Sequence, residues 1–243
     1  MASGPGVTLD IAAKRFPGAA APLLDKLQLT LAPSSVVALV GPSGVGKSTI
    51  LRLLAGIDRD FAGTISIDGV PAHLAPTPGF VFQDPRLLPW LRAADNIRAV
   101  APAITLNMAE TVLAQVGLSG AGTLYPHQLS GGMQRRVALA RAFSVNAGLL
   151  LLDEPFVSLD RVLVGEMQQV FTRLVAQTRP TVLIVTHLAE DAALLADRAI
   201  VLAGRPARIA ADIALPVPPA QRDAAILADY RAQLEAASPA YSI

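Results

Sequence analysis

Residues Gly41 to Thr49 read GPSGVGKST, a full match to the pattern G-x-x-x-x-G-K-[ST]. Gly41, Pro42, Ser43, Gly44, Val45 and Gly46 make a loop whose glycines let the backbone curl until successive N–H groups face phosphate oxygens. Lys47 adds a point charge, Ser48 offers a hydroxyl to Mg²⁺, and the dipole of a following helix adds to the field. A magnesium–nucleotide site also needs a carboxylate at a strand end, and LLLLDE supplies Asp153 and Glu154. Asp153 is placed to hold the metal, and Glu154 to orient an attacking water. A second anion feature lies in QLSGGMQRRVALARA, from Gln128 to Ala142. There Ser130, Gly131 and Gly132 precede a helix-forming stretch and present bare N–H groups. One chain thus carries two phosphate-binding features.

The elements that must position these groups are legible around them. The apolar run VVALV (Val36 to Val40) feeds the glycine loop, and KSTILRLLAG continues it as a helix. VTLDI, LQLTL, TISID (Thr64 to Asp68) and GFVF (Gly79 to Phe82) read as further strands. From about Asp84 to Ala142 the pattern turns helical, with one helix that Asn107 and Glu110 should cap and Gly117 should stop. LLLLD, a helix from about Arg161 to Gln177, TVLIVT, a helix from about Leu188, and AIVLA follow. Continuous apolar strands alternating with helices predict a parallel sheet covered on both faces. The expected organisation is a β subdomain with the first part of a nucleotide-binding core (1–83), an inserted helical subdomain (84–146), the rest of the core (147–212), and a short Pro- and Ala-rich tail (213–243) with a helix near Gln221 to Ala237.

Composition excludes some classes. With 52% hydrophobic residues there is ample material for a core, and a formal charge of +1 argues against a nucleic-acid binder. Cysteine is absent, which removes disulfides and thiolate metal sites. No apolar run is long enough to cross a bilayer, and MASGPGVTLD lacks the order of a signal peptide. The chain is expected to be soluble.

The ordered set of the phosphate loop, Gln83 in VFQD, LSGGM, LLLLDEP, SLD and VTH resembles the ATP-binding cassette (ABC) ATPases, over roughly Val7 to Arg208. The resemblance implies an α/β fold of the P-loop NTPase (RecA-like) type, with a small antiparallel β subdomain and an inserted helical one. It implies ATP and Mg²⁺ as ligands and a head-to-tail dimer. In such a dimer Ser130, Gly131 and Gly132 bind the γ-phosphate held in the partner's phosphate loop. By the same resemblance Gln83 contacts Mg²⁺ and the lytic water, His187 hydrogen-bonds the γ-phosphate, and Asp160 links the two sites. Phe16 stands where the family places an adenine-stacking aromatic; core packing is the other reading. Arg135, Arg136 and Arg141, taken alone, suit a solvated helix face; positive charge offered to the opposite nucleotide is the other reading.

Met133 departs from the commoner LSGGQ. It resembles a subgroup of importers similar to nitrate, taurine and alkanesulfonate transporters. That subgroup also carries LLPW, as here between Leu87 and Trp90. Arg86, Leu87, Leu88 and Trp90 are therefore expected to form a docking surface for a membrane permease, with burial of Trp90 in the helical subdomain as the plainer reading. The implied assembly is a peripheral ATPase at the cytoplasmic face of the membrane, served indirectly by an extracytoplasmic solute-binding protein. Its cargo would be a small anion such as a sulfonate, taurine or nitrate. An exporter or lipid-transporter cassette is the alternative. A DNA-associated cassette fits poorly, because the segment between Lys47 and Ser130 is too short for a long coiled coil.

Overall fold

The computed structural model describes residues 4–157 and 161–238. In chain order the elements are β1 (Val7–Lys14), β2 (Leu24–Leu31), β3 (Val36–Val40), α1 (Lys47–Leu54), β4 (Ala62–Ile67), β5 (Val70–Pro71), β6 (Gly79–Val81), α2 (Ala93–Arg98), α3 (Leu106–Gln115) and α4 (Gly131–Ser144). Then come β7 (Leu149–Asp153), α5 (Arg161–Thr178), β8 (Thr181–Thr186), α6 (Ala189–Leu195), β9 (Arg198–Ala203), β10 (Arg208–Ala214) and α7 (Ala224–Ala237). They form two compact units, residues 78–178 being one and the flanking segments the other.

In the flanking unit an antiparallel sheet runs in the order β2-β1-β4-β5. Strands β1 and β2 alternate buried and exposed positions, as expected of a sheet with one face on a core. Strands β3 and β8 are buried throughout. They pair in parallel, and β9 lies parallel on the other side of β3. This is the buried arrangement their unbroken apolar runs predict. Strand β10 closes antiparallel on β9; its sequence RIAADIA is mostly exposed, so no apolar run announced it. Lys14, at the end of β1, is 2% exposed and bonds Asp58 at 2.8 Å and the carbonyl of Asp60 at 2.6 Å. A charge buried this deeply persists only with such partners.

The C-terminal segment is fastened rather than loose. Arg222 is buried and donates to the carbonyls of Ala193 (2.6 Å), Ala196 (2.7 Å), Leu215 (3.1 Å) and Val217 (2.7 Å). Asp223 then caps α7 by accepting from the Ile226 N–H at 2.9 Å, which starts that helix later than the Gln221 expected from sequence.

The second unit pairs β6 in parallel with β7 and packs helices around Ile97, Leu113, Val116, Val137 and Leu174. Helix α3 begins earlier than predicted. Thr105 is its cap, accepting from Met108 N at 3.3 Å, and Asn107 lies inside the helix. Thr105 wins because its extended backbone aims the hydroxyl at that N–H, whereas Asn107 already has helical neighbours on both sides. The end is as expected. Gly117 (φ 75°) takes the left-handed turn, its N–H bonds Ala114 O at 3.0 Å, and Leu118 N bonds Leu113 O at 2.8 Å.

In the flanking unit, Arg198 grips Asp212 with Nε to Oδ1 at 2.6 Å and Nη2 to Oδ2 at 2.5 Å. The bidentate bonds from Arg198 hold the Asp212 carboxyl below its ordinary value, against the opposing effect of partial burial. A depressed folded-state pKa stabilises the fold above the unfolded value of about 3.9, and that gain is lost as pH falls through the folded value. The pair is partly exposed, so Asp212→Asn should cost only about 0.2–1 kcal/mol at neutral pH. Thermal unfolding near pH ~2 should no longer distinguish variant from parent; a gap that persists there would contradict the assignment.

Candidate functional site

Strand β3 delivers the chain into the glycine loop at Gly41. Gly46 (φ 111°) is the N-cap of α1, and a Cβ there would lie 2.9 Å from Leu24 Cδ2, so this turn admits only glycine. No side chain caps α1, and its first turn holds no acidic residue. A helix start of this kind, with no side chain or acidic group competing for it, suits an external anion. Lys47 is 4% exposed, and its ammonium donates to Gly41 O at 2.7 Å and Pro42 O at 3.0 Å. It lies folded across its own loop, a charge already placed where phosphate oxygens would come. Ser43 and Gly44 are exposed, Pro42 and Ser48 half-buried, and Val45 and Thr49 buried.

His187 belongs beside this loop by register. Val40 pairs with Thr186 across β3 and β8, so Gly41 and His187 both leave the same sheet edge one residue later. The turn carrying His187 is held by Thr186, whose hydroxyl accepts from Leu188 N at 3.0 Å and donates to Asp191 at 3.2 Å. Phe16 follows β1 and is 42% exposed, with Lys14 Nζ 5.0 Å from the ring centre. That exposure removes the core-packing reading.

The other unit brings Gln83, Asp153 and Glu154 together in the same manner. Val81 pairs with Leu152, so these three emerge side by side from the ends of β6 and β7. Gln83 is exposed and both acids are half-buried. Glu154 has φ 47°, a left-handed conformation that costs a non-glycine residue about 1–3 kcal/mol and gathers at functional sites. Among the described residues no three acidic or imidazole groups cluster as a metal cage.

The LSGGM stretch, which opens α4 as the signature helix, is a capped helix start. Ser130 is the N-cap of α4 and accepts from Met133 N at 3.3 Å, Gly131 is exposed, and Gly132 is buried against Leu163 of α5. Gln134 reaches back to Pro126 O at 2.9 Å and Leu129 O at 3.2 Å, fixing the approach to the cap. Asp160 lies outside the described residues.

The three arginines of α4 do not form a solvated face. Arg135 bonds Val157 O, Arg136 pairs with Glu166 of α5, and Arg141 donates to Pro85 O and Arg86 O, both at 2.9 Å. Their partners are loop carbonyls and a neighbouring helix, which a helical projection of α4 alone does not show. Trp90 is 69% exposed, so the plainer reading, burial of that ring, is not found. Sequence reasoning also missed Asn96, which is fully buried in α2. It accepts from Leu88 N at 2.8 Å and donates to Leu88, Leu91 and Arg92 carbonyls at 3.1–3.2 Å. A polar residue between the buried Ala94 and Ile97 was the available signal.

Comparison with known proteins agrees with this geometry. The family model described as "ABC transporter" matches residues 24–157. An aliphatic sulfonates import ATP-binding protein of Xanthomonas axonopodis pv. citri is 44% identical over 216 residues, covering 86% of this chain and 85% of that one. A taurine import ATP-binding protein of Chromobacterium violaceum is 40% identical, covering 84% and 80% respectively. Among solved structures, the dimeric ATP-binding cassette MJ0796 in a post-hydrolysis state with ADP and Pi has a TM-score of 0.76 at 26% identity, covering 86% of this chain and 98% of that one. The glycine loop, the carboxylates after β7 and the signature helix thus stand in a P-loop NTPase fold, and the chain belongs to the ABC transporter family as one of its ATP-binding ATPase cassettes.

Proposed function

We propose that the chain is the ATPase of an importer for small organic anions of the sulfonate or taurine type, acting as a head-to-tail dimer beneath a separate permease. The observation that carries the importer reading is its 40–44% identity, across most of its length, to import ATP-binding proteins for aliphatic sulfonates and taurine.

ATP is the substrate. The uncapped start of α1 and the ammonium of Lys47 receive its phosphates, and Phe16, exposed beyond β1, stacks on the adenine. The donor set fits Mg²⁺: the Ser48 hydroxyl, the Asp153 carboxylate and the Gln83 amide oxygen are hard oxygen ligands. Magnesium is ordinarily held by one or two carboxylates together with substrate phosphates, which suits a chain with no preformed cage among its described residues. When bound, the ion neutralises charge that builds up on the phosphate oxygens. Glu154, fixed in its strained turn, orients the attacking water and draws its proton. His187 donates to the γ-phosphate as charge develops. Ser130 with the N–H groups of Gly131 and Gly132 meets the γ-phosphate held by the partner subunit, and Asp160 relates one site to the other. Two nucleotides then hold the cassettes closed, and hydrolysis releases them to drive the permease.

The docking surface comprises Arg86, Leu87, Leu88 and Trp90. Trp90 projects into solvent as an aromatic anchor, the residue type that dominates interface energetics. In this reading the chain works at the cytoplasmic face of a membrane beside its permease; none of its described helices is long and apolar enough to cross one.

Two outcomes test this account. Glu154→Gln should bind ATP as the parent does and hydrolyse it about 10²–10⁴-fold more slowly; near-parental turnover would remove Glu154 from its role. Purification from native cells in mild detergent should bring down a multi-spanning membrane protein, and Trp90→Ala should release it without altering ATP affinity. Recovery of the chain with DNA or ribosomes and no membrane protein would overturn the transport reading.

A further inference from the structure

The loop from Gln83 to Arg92 is built on two polar side chains that lie outside it. Asn96 fixes its second half through Leu88, Leu91 and Arg92, as described above. Arg141 fixes its first half, one guanidinium bonding the consecutive carbonyls of Pro85 and Arg86. Arg86 itself adopts φ 46°, and its own guanidinium lies 4.4 Å from the Phe82 ring centre, which in turn stacks on Phe80. A non-glycine residue stays in the left-handed region only where its surroundings over-determine it. The Arg141 fork and the Phe82 ring do that here.

Arg141 also lies near the far end of α4 from Ser130. Arg141 lies ten positions after Gly131, and at helical rise this is about 15 Å of continuous, hydrogen-bonded rod. Burial pushes the Arg141 guanidinium below its ordinary value, so the bonds to the loop carbonyls compensate a real desolvation cost. A planar fork across two adjacent carbonyls transmits orientation as well as position, which a single-point ammonium contact does not.

We propose that Arg141 is a positioning residue that clamps the docking loop to the signature helix, so that α4 carries nucleotide engagement at Ser130 and Gly131 to Trp90. The proposal rests on the reading above in which that end of α4 meets a γ-phosphate. It assigns to one side chain the link between the nucleotide end of the helical unit and the surface offered to the permease. A rigid secondary-structure element held at both ends is one physical means of carrying such coupling. The capped start and the Arg141 fork are those two grips.

The chain contains a single tryptophan, and it lies in this loop, so the test needs no permease. Emission of Trp90 is followed while MgATP is titrated into full-length Glu154→Gln protein, which holds ATP without turnover, and nucleotide affinity is measured separately by displacement of a fluorescent ATP analogue. In that background ATP should change Trp90 emission. Adding Arg141→Gln should abolish the change while ATP affinity is retained, and Arg141→Lys, which can still reach one carbonyl, should restore part of it. A general loss of fold would instead lower affinity and thermal stability in step with emission, and the lysine variant would then show no selective recovery of the response; that pattern overturns the proposal. So does an ATP response that persists in Arg141→Gln, or normal ATP binding with no Trp90 response in the starting protein. Absence of ATP binding altogether would defeat the ATPase assignment of the site, and the clamp with it.

Discussion

A triphosphate brings several negative charges into a chain whose own formal charge is only +1. Much of the structure follows from how those charges are met without a basic surface. The answer is the N–H groups at helix starts, reinforced by one lysine. Gly46 leaves α1 uncapped, and Lys47 is held against Gly41 O and Pro42 O, so donors and charge are in place before any ligand arrives. Such preorganisation matters because dipoles already aligned need no reorganisation when charge shifts during phosphoryl transfer. Helix α4 offers a second start, capped by Ser130 and opening on two glycines, and a chain with two helix starts of this kind has one more than its own nucleotide needs. In the head-to-tail dimer we propose, the second one meets the partner's nucleotide.

The sheet exists to aim these groups. Parallel pairing of β3 with β8 sets Gly41 beside His187, and pairing of β6 with β7 sets Gln83 beside Asp153 and Glu154. In each unit the chemistry-bearing residues leave the carboxyl ends of parallel strands, where open α/β sheets place their ligands. Register is therefore a functional quantity. A one-residue slip in either pair would turn every side chain to the other face.

Much of this arrangement was legible in the residues, for physical reasons. Unbroken apolar runs such as VVALV and TVLIVT belong to strands buried on both faces, and β3 and β8 are buried throughout. The glycine loop was readable because its backbone tolerates few other residues, as the clash of a Cβ at Gly46 with Leu24 illustrates. What sequence did not show was set by tertiary partners. Strand β10 has no apolar stripe and is held by pairing with β9. Thr105 rather than Asn107 caps α3, since capping depends on the backbone angles of the entering residue. The arginines of α4 looked solvated on a helical projection, yet their partners lie 22 to 56 residues away along the chain. Trp90 was open between core and surface because apolar character alone does not say which side of a loop faces water.

The central claim is that the hydrolytic site is completed by a second copy of the chain. Light scattering of purified Glu154→Gln protein, with and without saturating ATP, tests it most directly. The account predicts a monomer without nucleotide, a doubled mass with ATP, and return to the monomer when Gly131→Trp obstructs the exposed start of α4. A mass that remains monomeric at saturating ATP, or a dimer indifferent to that substitution, would contradict it.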